Sequence, residues 1–211
     1  MEIIFLKSVD STHTYLKNYI NVNGYKNPLA VVTQHQTHGI GSRNNNWDGQ
    51  YGNLFFSFVI DKNRLPNDLP MQSASIYFSF ILKEILSDLG STIWLKWPND
   101  FYISDKKIGG TITNFSGELF YCGIGLNLYQ INDNYGYLDI KLDIEKLLSH
   151  YFNQILQKMN WKKIFSKYRV EFTNSKQYKT TVNNKKVSLE GAILNEDGSI
   201  NISNEKVFSL R

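Results

Sequence analysis

The chain has 211 residues, 42% hydrophobic and 14% aromatic with 13 Tyr and 13 Phe, which excludes an intrinsically disordered or fibrous protein. That length buries roughly 70% of the unfolded surface, enough for one substantial core and a small satellite unit. The net charge of +4 is spread along the chain rather than gathered into a basic helix, so charge alone gives nucleic-acid binding little support.

In chain order, "IIFLK" (3–7) reads as a strand and "VDSTHTYLKNYI" as a helix capped by Asp10 or Ser11. The N-terminal apolar run is too short for a signal-peptide core and lacks a basic start, and no stretch approaches the ~20 apolar residues of a membrane span. "PLAVVTQ" (28–34) is a second strand, followed by the polar, glycine-bearing stretch 35–52, too long for a simple hairpin connection. "NLFFSFVI" is a strong strand. "MQSASIYFSFILKEILSDLG" carries Ile76, Phe80, Ile81, Ile85, Leu86 and Leu89 at helical spacing and ends at Gly90.

"STIWLKW", "DFYIS", "KIGGTITNF" and "ELFYCGIGLNL" are four successive strand candidates, giving a mixed sheet with helices, α/β or α+β. Cys122, the only cysteine, sits in the last of them as a small buried hydrophobe; no intramolecular disulfide can form, and a reducing cytoplasm fits. "LDIEKLLSHYFNQILQKM" is an amphipathic helix and "WKKIFSKYRVEF" a shorter one. Beyond residue 173 short strands separated by "NN" and "EDG" turns predict a small all-β unit, so the division expected is 1–173 and 174–211.

Three glycine-bearing segments and "KWPND" carry the chemistry. "HGIGSRNNNW" lacks the third glycine of a dinucleotide fingerprint and the Lys-Ser/Thr of a P-loop, although its backbone could still approach an anion. "KKIGG" sets Lys106 and Lys107 before Gly109 and Gly110, and "GIGLN" ends in Asn127, an amide suited to a heterocycle edge. In "KWPND" the proline restricts the backbone before it, directing Asn99 and Asp100 out of the strand, while Lys96 and Trp97 close the strand behind them. The histidines and the cysteine form no zinc pattern, and no carboxylate cluster has ligand spacing.

"DST" (10–12), Q-x-x-G-x-G-x-R-x-x-x-W (36–47), "KWPND", "KKIGG" and "GIGLN" occur in the order and approximate spacing of biotin protein ligases, which the chain resembles over essentially its whole length. Because it starts almost at the first catalytic strand, it is similar to the short form without the DNA-binding domain. The resemblance implies an α+β fold, a mixed sheet flanked by helices of class II synthetase-like type, with a small C-terminal Src-homology-3-like β-barrel. It implies activation of biotin by ATP to biotinoyl-5′-AMP with release of pyrophosphate, then transfer to a lysine of a biotin carboxyl carrier protein or carrier domain. Mg²⁺ would come in with ATP, held mainly by its phosphates and water.

Residue by residue, the resemblance implies catalytic roles for Lys107 and Asp100. Two like charges about 4 Å apart repel by roughly 4 kcal/mol at an effective dielectric of ~20, which is why biotin's carboxylate and a phosphate need a lysine between them. Ser11, Thr12 and Gln36 match positions that bind the ureido ring. Trp47 matches the aromatic that closes over biotin, and Gly39, Gly41, Arg43, Gly109, Gly110 and Gly123 complete the biotin set. Arg43, Asn99, Lys107, Asn127 and Arg211 match the ATP side. The family loop commonly reads Gly-Arg-Gly-Arg-Arg-Gly; here Ile40 and Ser42 replace two arginines, which implies looser retention of biotinoyl-5′-AMP. His13 stands where Asn is frequent and reads as packing or helix surface, with no assigned role. A homodimer through paired edge strands fits the family. Two alternatives stand beside this reading: a lipoate or octanoate ligase of the same architecture, and a non-catalytic biotin-binding regulatory module. The hydroxyls and amide favour a ureido head, and retained Lys107 and Asp100 favour catalysis.

Overall fold

A computed structural model describes residues 1–41, 46–47, 49–130, 134–183 and 185–209. Seven strands form one sheet: β1 (Glu2–Leu6), β2 (Leu29–Thr33), β5 (Leu54–Asp61), β6 (Trp94–Lys96), β7 (Asp100–Ile103), β8 (Lys106–Ser116) and β9 (Leu119–Leu126). Their order is β1-β2-β5-β9-β8-β7-β6. Only β1 and β2 are parallel, joined by the crossover helix α1 (Thr12–Asn23); the remaining neighbours are antiparallel. A mixed sheet flanked by helices, as expected, is therefore the frame. A two-stranded ribbon, β3 (Gly39–Ile40) and β4 (Asn46–Trp47), stands apart from it and pairs Gly39 with Trp47.

Strand alternation sends side chains to two unlike faces. Phe56, Phe58 and Ile60 of β5, with Cys122 and Phe120 of β9, join the main core beneath α2 (Ala74–Asp88) and α3 (Ile144–Leu156). Its centre is an aromatic cluster in which Phe58 meets Phe78 edge-on at 5.0 Å and 88°, the orientation that ring quadrupoles favour. On the other face, Val31 and Val59 pack under Leu16 and Ile20 of α1.

Helix α2 is buried nearly all round from Ala74 to Leu82, beyond the positions that its helical spacing picks out. Leu89 falls outside the core, 56% exposed, because the chain turns away at Gly90 with φ of 98°. Helix α4 (Trp161–Ser175) has 15 residues against 13 for α3, where the shorter helix was expected there. It continues through Ser175 because that residue is fully buried and its hydroxyl accepts the Trp97 backbone N–H at 2.9 Å.

The C-terminal strands pair as a ribbon, β10 (Lys179–Val182) with β11 (Lys185–Ser188), and as a three-stranded sheet, β12 (Ile193–Leu194), β13 (Ile200–Ile202) and β14 (Glu205–Val207). Among the described residues no closed barrel forms; strands of two to four residues pair locally as two separate sheets. Leu189, Ala192, Ile200 and Ile202 join the main core, and the Trp97 indole N–H donates to the Gly198 carbonyl at 3.0 Å. No described helix is long and apolar enough to cross a membrane.

Candidate active site

The site lies on the α1 side of the sheet and is assembled from loop ends. Parallel pairing continues past β1 and β2 as a bridge between Val9 and Gln36, with the Thr37 and His38 N–H groups donating to the Val9 and Asp10 carbonyls. That extension sets Gln36 against the start of α1. Gln36 Oε1 accepts the Thr12 backbone N–H at 2.8 Å and the Thr12 hydroxyl at 3.1 Å. Ser11 caps α1 by accepting the Thr14 N–H at 3.4 Å, settling the cap between the two candidates, and it lines the cavity beside Thr12.

The floor of the cavity is made by missing side chains. A Cβ on Gly123 would lie 3.1 Å from Ile112 Cγ1, 3.2 Å from Ser57 Oγ and 3.4 Å from His13 Nδ1. A Cβ on Gly125 would lie 3.0–3.2 Å from the Trp47 indole. Glycine in the centre of β9 thus opens the hollow and seats the tryptophan. The small cavity, ≈ 40 Å³, meets a larger cleft of ≈ 700 Å³ along His13, Asn99, Asp100 and Lys107.

"KWPND" turns at that junction. Lys96 ends β6, residues 97–99 make the turn with a cis Trp97–Pro98 bond, and Asp100 opens β7. Asp100 faces two lysines: Lys107 Nζ at 2.6 Å and Lys96 Nζ at 3.2 Å. Burial pushes the Asp100 carboxyl up, but the Lys107 and Lys96 ammoniums outweigh it and hold the group below its ordinary value, so it is a carboxylate at neutral pH. Lys107 also lies 5.7 Å from the Trp47 ring centre, between the aromatic wall and the carboxylate. Asn99 lines the cavity and donates its side-chain N–H to the Thr111 carbonyl.

Of the residues singled out in the sequence, Ser11, Thr12, Gln36, Gly41, Trp47, Asn99, Asp100, Lys107, Gly110 and Gly123 line one cavity. Gly39 sits behind that wall, where a Cβ would meet Gln36 Nε2 at 2.9 Å. Gly109 lies on the core side, its Cβ position 2.7 Å from Leu126 Cδ2. Asn127 is buried past the end of β9 and donates to the Gly136 carbonyl at 3.2 Å, tying down the segment after the strand. Arg43, Arg211 and the loop position Ser42 lie outside the described residues. Three members escaped sequence reading. Ser57, whose hydroxyl is 2.8 Å from that of Thr12, was visible only as the one polar residue within the apolar run 54–60. Lys96, expected to close the strand, is 6% exposed and pairs with Asp100. His13, given no role, lines both cavity and cleft.

The sequence pattern of the biotin/lipoate A/B protein ligase family matches residues 5–127, more than half of the chain. The chain belongs to the biotin/lipoate A/B protein ligase family. The matched stretch runs from β1 to Asn127 and so contains every described residue of the cavity. A biotin acetyl coenzyme A carboxylase synthetase from Helicobacter pylori, solved with biotinylated ATP, is 38% identical; the match covers 98% of this chain and 99% of that one with a TM-score of 0.93. The Aquifex aeolicus biotin protein ligase solved with biotin and ATP has the same fold, with a TM-score of 0.74 at 24% identity over 100% of this chain and 98% of that one. The bifunctional ligase/repressor BirA of Escherichia coli is 27% identical over 133 residues, 60% of this chain, and this chain spans about 40% of its length.

Proposed function

We propose that this protein is a biotin protein ligase that joins biotin to the α-phosphate of ATP, releases pyrophosphate, and passes the biotinoyl group from biotinoyl-5′-AMP to a lysine of a biotin carboxyl carrier protein. The observation that carries this reading is the Lys107–Asp100 pair at 2.6 Å where the polar cavity opens into the cleft. In the first step two anions must approach. Lys107 is positioned to lie between biotin's carboxylate and the α-phosphate and to stabilise charge developing on phosphorus. Asp100 aims Lys107 in the resting enzyme and then becomes the base, or hydrogen-bond acceptor, for the incoming carrier lysine.

The remaining site residues take their proposed roles from the resemblance. Ser11, Thr12 and Gln36 surround the ureido head, and Trp47 covers the ring and valeryl chain. Gly41, Gly110 and Gly123 allow close backbone approach, Gly39 and Gly109 serve the biotin side by close packing of the wall behind them, and Asn99 and Asn127 serve the nucleotide. Arg43 and Arg211 are proposed as phosphate contacts on the resemblance alone. Among the described residues the cleft is lined by Lys17, Lys96, Lys107, Lys179 and Lys186 against one carboxylate, Asp100, a balance suited to a polyphosphate and to departing pyrophosphate. Mg²⁺ belongs to the same proposal, coming in with ATP and held mainly by its phosphates. The division at residues 173 and 174, a cytoplasmic setting and an edge-strand homodimer belong to the same proposal.

Exchange of labelled pyrophosphate into ATP, run with biotin, lipoate and octanoate, tests the reading. Exchange with biotin alone, lost in Lys107→Ala, is expected. Exchange with lipoate or octanoate instead would make it a ligase for those acids. No exchange with any acid despite tight biotin binding would make it a binding module.

A further inference from the structure

One buried polar group in the cavity has no use in the mechanism. His13 lies in the first turn of α1, 6% exposed, and borders both the cavity and the cleft. Its Nε2 stands 2.9 Å from Asn114 Oδ1, across a hundred residues of sequence. An amide oxygen only accepts, so that contact places the imidazole's proton on Nε2. The other ring nitrogen, Nδ1, is then a bare lone pair. It is buried and has no hydrogen-bond partner among the described residues. Leaving an acceptor buried without a donor is costly, so one left in a binding cavity points to a partner that arrives from outside.

The geometry identifies the chemistry of that partner. Nδ1 and Ser57 Oγ border the same hollow, 3.4 Å and 3.2 Å from where a Gly123 Cβ would sit. Ser57 Oγ in turn lies 2.8 Å from Thr12 Oγ1, and Thr12 is held by Gln36. The Thr12 hydroxyl gives its proton to Gln36 Oε1 and so receives that of Ser57, which leaves the Ser11 hydroxyl and the Gln36 side-chain N–H to supply protons to a carbonyl, whereas His13 Nδ1 can only receive one. We propose that His13 Nδ1 accepts an N–H of the bound head group, so that this residue selects ligands whose head donates hydrogen bonds over those with apolar heads. The inference rests on the biotin reading, because biotin's ureido ring supplies such N–H groups and a dithiolane or alkyl head does not. The imidazole remains neutral, as an acceptor must. Burial and the Lys17 ammonium push its pKa down to about 4, with Asn114 opposing.

Two near-isosteric variants separate hydrogen bonding from packing. In His13→Asn an amide oxygen can occupy the place of Nδ1; in His13→Leu a methyl group does. Calorimetric Kd and exchange KM and kcat are measured for biotin and for its two mono-N-methyl ureido derivatives. The expectation is that His13→Leu weakens biotin about tenfold in Kd and KM with kcat little changed, and that His13→Asn recovers to within about threefold. His13→Leu is also expected to bind one N-methyl derivative no worse than wild type does. Equal weakening of biotin and both derivatives by Leu, or no weakening of any, would overturn the proposal. In the unmutated protein labelled with ¹⁵N-histidine, the Nδ1 resonance of His13 is expected to move toward its hydrogen-bonded value when biotin is added; an unmoved resonance would overturn it too, even if the variants fail to fold. Binding without exchange would defeat the ligase reading and leave His13 tested by Kd alone, whereas absence of biotin binding would end both.

Discussion

The two faces of the central sheet use the same strands to opposite ends. Toward α2 and α3, β5 presents Phe56, Phe58 and Ile60 to an aromatic core, where the Tyr151 hydroxyl beside them donates to the Phe78 carbonyl at 3.1 Å. Toward α1 the intervening positions are Phe55 and Ser57, and β9 contributes Gly123 and Gly125 between them and Trp47. The difference teaches that the site was made by subtraction. Removing side chains on alternate residues of a central strand opens a hollow while the opposite face keeps its packing, because successive residues point to opposite sides.

The contrast is broken most severely from the packed side. Phe58→Ala leaves a cavity among Phe78, Tyr151 and Phe152 and is expected to cost about 3–5 kcal/mol, read from the urea midpoint. Lys107→Ala removes a partly exposed charge from the other face. It should lower that midpoint much less than Phe58→Ala does, because Asp100 keeps Lys96 as a charge partner, while lowering biotin-dependent pyrophosphate exchange about 10²–10³-fold.

Asp100→Asn joins both effects, since it leaves the 6%-exposed Lys96 ammonium without its charge partner. A loss of about 3 kcal/mol is expected, at the low end for a buried pair because Asp100 is 23% exposed. The sign of its pH dependence follows from the depressed carboxyl. The stabilisation is fully present above the ordinary value of 3.8 and is lost as pH falls through the lower folded value. Urea midpoints measured from pH 6 to pH 3 should therefore fall more steeply at the acid end in wild type than in Asp100→Asn.

Gly123→Ala refills the hollow with one methyl group at ordinary to slightly tight distances. It should raise the KM for biotin about tenfold with little change in melting temperature. An equal change in stability would mean that the glycine serves strand packing rather than the ligand. The smallest effect belongs to Cys122, fully buried on the packed side with its thiol pushed up by burial. No alkylation of the folded protein by iodoacetamide at pH 8 is expected, and full alkylation in guanidinium.

The sequence by itself determined the strands and helices, their order, and most of the cavity. The apolar run in "NLFFSFVI", the glycine pairs in "KKIGG" and "GIGLN", and the turn in "KWPND" are local patterns that a single segment carries whole. Only the tertiary structure decided that α2 is buried on all sides, that α4 extends to Ser175, and that the terminal strands pair as two separate sheets. It alone brought Ser57 to Thr12, Lys96 and Lys107 together on Asp100, and His13 to Asn114. Periodicity reports which face a residue takes, but hydrogen bonds between residues 45 and 101 positions apart depend on how the faces are stacked. A histidine in a first helical turn looks the same in sequence whether it meets solvent or, as here, an amide and a hollow.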